Sequence, residues 1–273
     1  MNAKPPTSER PIAPVITLTS DWGTKDHYLA SVKGTILRQV PQARIIDISH
    51  QIPPHDLTQA AFIIRNSYRD FPEGSIHIIG ISTEESDVNP HTAVFAEGHY
   101  FIGADNGIFT MILDKAPEKI VEITLMQDSE FFTFSTRDRF VKAAAMIAAG
   151  EDMSKLGVER ENLNQKFLFS PVVENNIIKG IVIYIDNYEN VITNITREKF
   201  RDVGKGRKFT ISFRGEEIHT IHESYSDVPV GEILALFGHN GHLEIAMNNG
   251  TASGLLGLHP DDPVRIEFAE QTK

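Results

Sequence analysis

Short apolar runs and helix-period stretches alternate along the first half of the chain. Val15 to Thr19 is rich in β-branched residues and ends at Ser20-Asp21-Trp22-Gly23. Leu29, Val32, Ile36 and Leu37 then recur at helical spacing, and Ile45 to Ile48 reads as a second strand. His50 to Asp56 forms a turn whose Asp56 is placed to cap a helix carrying Leu57, Ala60, Ala61, Ile64 and Tyr68. Ile76 to Ile81 is a third strand. This alternation predicts parallel pairing with right-handed crossovers. Thr92 to Ala96 and His99 to Ile102 read as arms of a hairpin turning at Glu97-Gly98, and Phe140, Ala143, Ala144 and Ile147 mark a further helix. Thr136, Arg137 and Asp138 read as the capped first turn of that helix.

Beyond Gly157 the pattern changes. Glu159 to Pro171 is polar and aperiodic and serves as the linker candidate. Gly180 to Ile185 is a buried strand that empties into Asp186-Asn187-Tyr188-Glu189-Asn190, polar groups flanking an aromatic ring. Phe209 to Phe213 and Ile218 to Ile221 flank Arg214-Gly215-Glu216 as a hairpin, Gly204-Lys205-Gly206 reads as another hairpin turn, and three more strands follow. The expectation is an α/β N-terminal domain with a mostly parallel sheet over 14–165, and a smaller C-terminal β-barrel domain over 172–270. Residues 1–13 read as a disordered tail rather than a secretion signal.

Composition narrows the function classes. At 41% hydrophobic and 23% charged, the 273 residues suit a globular protein with a real core. No apolar run approaches the ~20 residues of a membrane span. With no cysteine, disulfides, Cys-ligated zinc and thiol nucleophiles are excluded, and a cytoplasmic setting is expected. A net charge of −11 argues against a nucleic-acid partner and suits a cationic small molecule.

Ligands of open α/β sheets gather at the carboxyl ends of the strands. That rule selects Asp21 and Trp22, the His50–Asp56 turn, and Ser82 to Asp87. Asp21 could accept two ribose hydroxyls, or serve as a turn residue; Trp22 could stack on a base, or be core. Eleven histidines raise the question of a metal, but His219/His222 and His239/His242 lie in strand and turn, where i and i+3 diverge. No metal and no cofactor are expected. No P-loop and no Gly-x-Ser-x-Gly elbow occurs.

Six segments in order resemble the S-adenosylmethionine hydroxide adenosyltransferase family, which includes the fluorinases and chlorinases. They are Thr17 to Tyr28, Ile45 to Asp56, Gly98 to Gly107, Thr133-Phe134 with Arg137-Asp138, Asp186 to Asn194, and Leu236-Phe237-Gly238 with Leu243 to Ala246 and Gly250 to Ala252. The resemblance implies the same two-domain fold and a homotrimer with ligand at interfaces between protomers. It also implies displacement at the 5′ carbon of the adenosyl group, with methionine leaving. In that family pattern Asp21 holds the ribose hydroxyls, Asp186 meets the methionine ammonium, and Tyr188 and Asn190 line the adenine. His55 stands where fluorinases place a stacking Trp.

The departures concern the nucleophile. Hydrolases of the family carry Asp-Pro-Gly-Val-Gly after the third strand, followed by an Arg; this chain has Ser82 to Asp87, then Asn89-Pro90-His91. The family's His and Gly after Thr-Phe are Ser135 and Thr136, and a Ser at the methionine end is His239. The usual Asp/Arg/His set is therefore missing. Ser82, Glu85, Ser135 and Thr136 are the candidates to replace it: an acidic side chain such as Glu85 as base or polarising charge, or the Ser135 and Thr136 hydroxyls holding an anion. The expected activity is hydrolysis of S-adenosylmethionine to adenosine and methionine, the alternatives being binding without catalysis and halide-dependent transfer.

Overall fold

The computed structural model describes residues 13–127, 130, 133–167 and 169–270, so residues 1–12 of the expected tail lie outside it. The chain separates into two compact units that divide after Phe167.

The first unit is built on strands β1 (Val15–Ser20), β2 (Arg44–Ser49), β3 (Ile76–Gly80), β4 (His91–Ala96), β5 (His99–Ala104), β6 (Lys119–Ile123) and β7 (Gly157–Glu159). Its helices are α1 (Tyr28–Gln39), α2 (Leu57–Arg65), α3 (Ile108–Ile112) and α4 (Val141–Ala148). The sheet order is β2-β1-β3-β5-β4-β6-β7. Only β1–β2, β1–β3 and β3–β5 pair in parallel; β4–β5, β4–β6 and β6–β7 are antiparallel. The expected mostly parallel sheet is thus corrected to a mixed one. The cause is the hairpin: Glu97 (φ 50°) and Gly98 (φ 80°) make a two-residue turn that sends β5 back along β4, and further antiparallel strands then add beyond it.

Side chains alternate across this sheet. Ile16, Leu18, Ile76, Ile78, Ala93 and Ile102 share a core with Val32 and Ile36 of α1 and Val141, Ala144 and Ile147 of α4. Leu37 falls off that stripe and is exposed. As expected, Asp56 caps α2, accepting from Gln59 N–H at 2.9 Å, a contact worth about 1 kcal/mol. The order β2-β1-β3 places a switch in connection direction between β1 and β3, the position at whose carboxyl ends open α/β sheets bind ligands.

The second unit carries β8 (Val172–Glu174), β9 (Ile177–Ile185), β10 (Val191–Thr196), β11 (Phe209–Phe213), β12 (Glu216–Ile218), β13 (Ile221–His222), β14 (Ile233–Phe237), β15 (His242–Met247) and β16 (Pro263–Phe268). They form one curled nine-stranded sheet, ordered β12-β11-β16-β9-β10-β15-β14-β13, with β8 also on β9. Two helices were not expected, α5 (Arg197–Gly204) and α6 (Ala252–Leu256). The Gly204-Lys205-Gly206 stretch ends α5, with Lys205 left-handed at φ 49°, and is not a hairpin turn. Its polar face hid the helix: only Phe200 and Val203 pack on the core, behind Phe209 and Phe268. Among the described residues no helix is long and apolar enough to cross a membrane.

Candidate functional site

The carboxyl ends of β1 and β3 carry the first group of site residues. Asp21 Oδ2 accepts the backbone N–H of His55 at 2.9 Å, and His55 Nδ1 lies 3.0 Å from Ser82 Oγ. Three residues from three strand-end loops thus form one polar row. Both His55 (φ 67°) and Ser82 (φ 47°) are left-handed, a conformation that costs non-glycine residues energy and is held here by these contacts. The Asp105-Asn106-Gly107 motif supplies part of the hold, because Asn106 Nδ2 donates to the carbonyls of Ile81 and Ser82 at 3.3 Å each.

Trp22 packs edge-on against Phe134, centroids 5.4 Å apart, and lies directly over Gly80 of β3. A Cβ on Gly80 would sit 2.4 Å from the indole Cζ2, so the absence of a side chain there lets the ring lie flat on the strand. One face of Trp22 is committed to the fold.

Beyond Ser82 the loop joins a charged cluster built on the buried side chains of His91 and Arg139. Thr83 O accepts from His91 Nε2–H at 2.9 Å, His91 Nδ1 accepts from Arg139 Nη1–H at 2.9 Å, and the same Nη1 donates to Glu85 Oε1. Arginine has only donors, so the imidazole tautomer is fixed with its hydrogen on Nε2. Burial above all holds the His91 pKa below the ordinary histidine value, with Arg139 pushing the same way. His91 is fully buried and Arg139 is 9% exposed. Glu85, expected as a free base or polarising charge, is ion-paired.

The expected helix cap at Thr136 is corrected. Residues Thr136–Phe140 form a π turn leading into α4, and neither Ser135 nor the start of α4 has a side-chain cap bond. Such turns widen the helix and are frequent at functional sites. Ser135 Oγ instead accepts from Gln127 Nε2 at 3.3 Å, while Arg137 and Asp138 pair with each other. The Thr136 hydroxyl and Arg139 Nε–H are both buried with no hydrogen-bond partner among the described residues.

The second group lies in the second unit, on the β9–β10 turn. Asp186 Oδ1 accepts from the N–H groups of Tyr188 and Asn190 at 2.9 and 2.8 Å, and Oδ2 from Asn190 Nδ2 at 3.0 Å. Asn190 is buried by this closure, whereas Tyr188 is 75% exposed and presents its ring to solvent. Glu244 of β15 is buried beside it, accepting from Tyr225 O–H at 2.7 Å. Burial, helped by the Asp186 charge, pushes the Glu244 carboxyl up; the Tyr225 bond and His239 oppose this. His239 is exposed in the β14–β15 turn. Two neighbouring carboxyls, with a histidine beside them, suit a cationic ligand end.

Sequence reasoning brought together Asp21, His55 and Ser82, and separately Asp186 and Asn190. It missed His91, Arg139, Tyr225 and Glu244. For Arg139 a signal existed: it sits four and eight residues before Ala143 and Ile147, a charge on the apolar stripe of α4. A cavity of about 790 Å³ beside β11 and β16, lined by Arg207, Phe209 and Phe268, touches none of these residues.

Residues 16–157 match the model of the SAM hydroxide adenosyltransferase N-terminal domain, and residues 180–265 that of its C-terminal domain. The chain is 31% identical over 275 residues to an (R)-S-adenosyl-L-methionine hydrolase of Methanocaldococcus jannaschii, spanning 94% of this chain and 97% of the relative. A protein of the same name from Thermus thermophilus is 30% identical over 267 residues, spanning 90% and 97%. A fluorinase of Nocardia brasiliensis is 25% identical over 271 residues, spanning 86% and 90%. Among solved structures, an uncharacterized conserved protein from Thermotoga maritima superposes with a TM-score of 0.84 at 28% identity, covering 92% of this chain and 99% of that one. With both family models matched in order across most of its length, the chain belongs to the S-adenosylmethionine hydroxide adenosyltransferase family.

Proposed function

We propose that this protein hydrolyses S-adenosylmethionine to adenosine and methionine by attack of water at the 5′ carbon. The observation that carries the reading is the Asp21–His55–Ser82 row at the carboxyl ends of the strands, within a chain about 30% identical to hydrolases of that name. Asp21 has acceptor capacity left for the ribose hydroxyls after taking one N–H. The exposed Tyr188 ring offers a stacking surface for adenine, with Asn190 beside it, and the Asp186/Glu244 pair offers negative charge to the ammonium or sulfonium. His239 stands at the methionine end.

The leaving group is a neutral thioether, so the protein's work is to align the nucleophile and exclude competing solvent. The two half-sites are read as meeting across subunit contacts in a homotrimer, and an exposed Tyr188 supports a site completed by a neighbour. The curled second sheet is read as the barrel-like domain 172–270 that follows the domain 14–165, and the setting as cytoplasmic. Incubating the purified protein with S-adenosylmethionine should yield equal amounts of adenosine and methionine by chromatography. No adenosine above the buffer control at high enzyme concentration would overturn the reading.

One observation favours binding without turnover: Glu85 is paired with Arg139 rather than free. That reading predicts saturable heat in calorimetry with no product. Halide transfer would draw on the buried Ser135 and Thr136 hydroxyls, and predicts a 5′-halo nucleoside with chloride or fluoride.

A further inference from the structure

The π turn between Ser135 and α4 packs against β3 and β5. Its buried face brings an unusual burden. Arg139 is a cation on the apolar stripe of a helix, and burying it is costly unless it is fully hydrogen-bonded. One of its nitrogens is well served, since Nη1 donates to both Glu85 and His91. Nε–H has no partner among the described residues, and neither has the hydroxyl of Thr136, three residues earlier on the same π turn. A buried donor left unmade is rare and calls for an explanation. Here two such groups lie on one five-residue turn, and Arg139 is bonded to Glu85 of the loop after Ser82, which is tied through His55 to Asp21.

We propose that Arg139 holds and polarises the attacking water oxygen, with its Nε–H and the Thr136 hydroxyl as the two contacts, that His91 is a positioning residue, and that Glu85 takes up the water proton. The assignment rests on the hydrolase reading above and adds a residue from the π turn that the loop after β3 does not supply. His91 locks the guanidinium to the Thr83 carbonyl, so the Arg139 position and the course of the Ser82–Asp87 loop are set together. In the reaction an oxygen lone pair of water forms the bond to C5′. The C5′–S bond breaks with its electron pair moving onto sulfur, which leaves as neutral methionine. The water proton passes to the Glu85 carboxylate, which is partly exposed, and on to solvent.

Steady-state kinetics of R139M, R139K and E85Q on the full chain test this. R139M should lower kcat by roughly 10²–10³-fold, as for loss of a preorganised donor, with KM within about a factor of two. R139K should recover part of kcat, and E85Q should lower kcat with KM within about a factor of two. A crystal structure of the ligand-free protein supplies a readout independent of turnover: solvent oxygen within hydrogen-bond distance of both Arg139 Nε and Thr136 Oγ1, displaced in R139M. Wild-type hydrolysis with an R139M kcat unchanged overturns the Arg139 assignment and leaves the hydrolase reading standing. Absent wild-type product overturns that reading and, with it, the role in hydrolysis. A dry, occluded Arg139 Nε in the crystal contradicts the assignment whatever the activity.

Discussion

The strand-end cluster of the first unit and the Asp186–Asn190 turn of the second solve the same problem by opposite means. In the turn, every bond that shapes Asp186 comes from within four residues. In the strand-end cluster the partners are 27 to 54 residues apart in sequence, apart from the eight-residue step from His91 to Thr83. A turn closed on itself keeps its geometry through local chemistry, whereas the strand-end cluster exists only when the sheet has formed. The turn is therefore the more robust of the two groups, and the strand ends are where substitutions break long-range contacts.

The two units should also answer acid differently, and this is the largest contrast expected. In the first unit His77, bonded to Thr17 and His99 beneath Tyr68 and Phe101, is pushed down to about 3 by burial, with the His99 charge acting the same way. The unfolded chain binds that proton near the ordinary value of about 6.5. Its contribution to stability is thus fully present above about pH 6.5 and is lost as pH falls toward 3, at about 1.4 kcal/mol per pH unit. Glu244 in the second unit is shifted up, so its contribution has the opposite sign: present at low pH and lost as pH rises through its folded value. Calorimetry from pH 7 to pH 4 should show a transition that moves to lower temperature and a second that moves less. An H77F variant should flatten the first, and identical acid shifts in both would break the contrast.

The next effect is on binding. Removing the Asp21 carboxylate by D21A takes away an acceptor from the His55 N–H as well as the ribose contact, a charged hydrogen bond of roughly 1.5–3 kcal/mol, or about 10- to 150-fold in affinity. Titration calorimetry with S-adenosylmethionine would show it; an unchanged Kd would remove Asp21 from the site. G80A should cost about 1–3 kcal/mol in urea unfolding, because its methyl would enter the Trp22 ring. Y188A is the smallest. Its ring is exposed, so stability should move by less than about 0.5 kcal/mol, while adenosine binding weakens by about 1 kcal/mol from lost stacking. A destabilised Y188A would mean that the ring packs on the fold and is not held ready for a ligand.

The contrast also explains what could be read from the sequence. Apolar periodicity located the strands and helices of the first unit, and Asp56 and Glu97-Gly98 marked a cap and a hairpin by local chemistry alone. The parallel pairing extended only as far as β5, since nothing local fixes which edge the β4–β5 hairpin joins. α5 escaped notice because its apolar face is two residues wide. Asp186 to Asn190 was legible as a compact polar turn because its contacts are short-range. Arg139 and His91 were not, because their meaning lies in a meeting of β4, the loop after β3 and the π turn that only the folded sheet brings about.

The central claim is that water attacks the adenosyl 5′ carbon at this site. Turnover of S-adenosylmethionine in water enriched in oxygen-18, followed by mass spectrometry of the nucleoside, tests it directly. The account predicts adenosine carrying one heavy oxygen at its 5′ hydroxyl and methionine carrying none. Unlabelled adenosine, a nucleoside still bearing sulfur, or no product at all would contradict it.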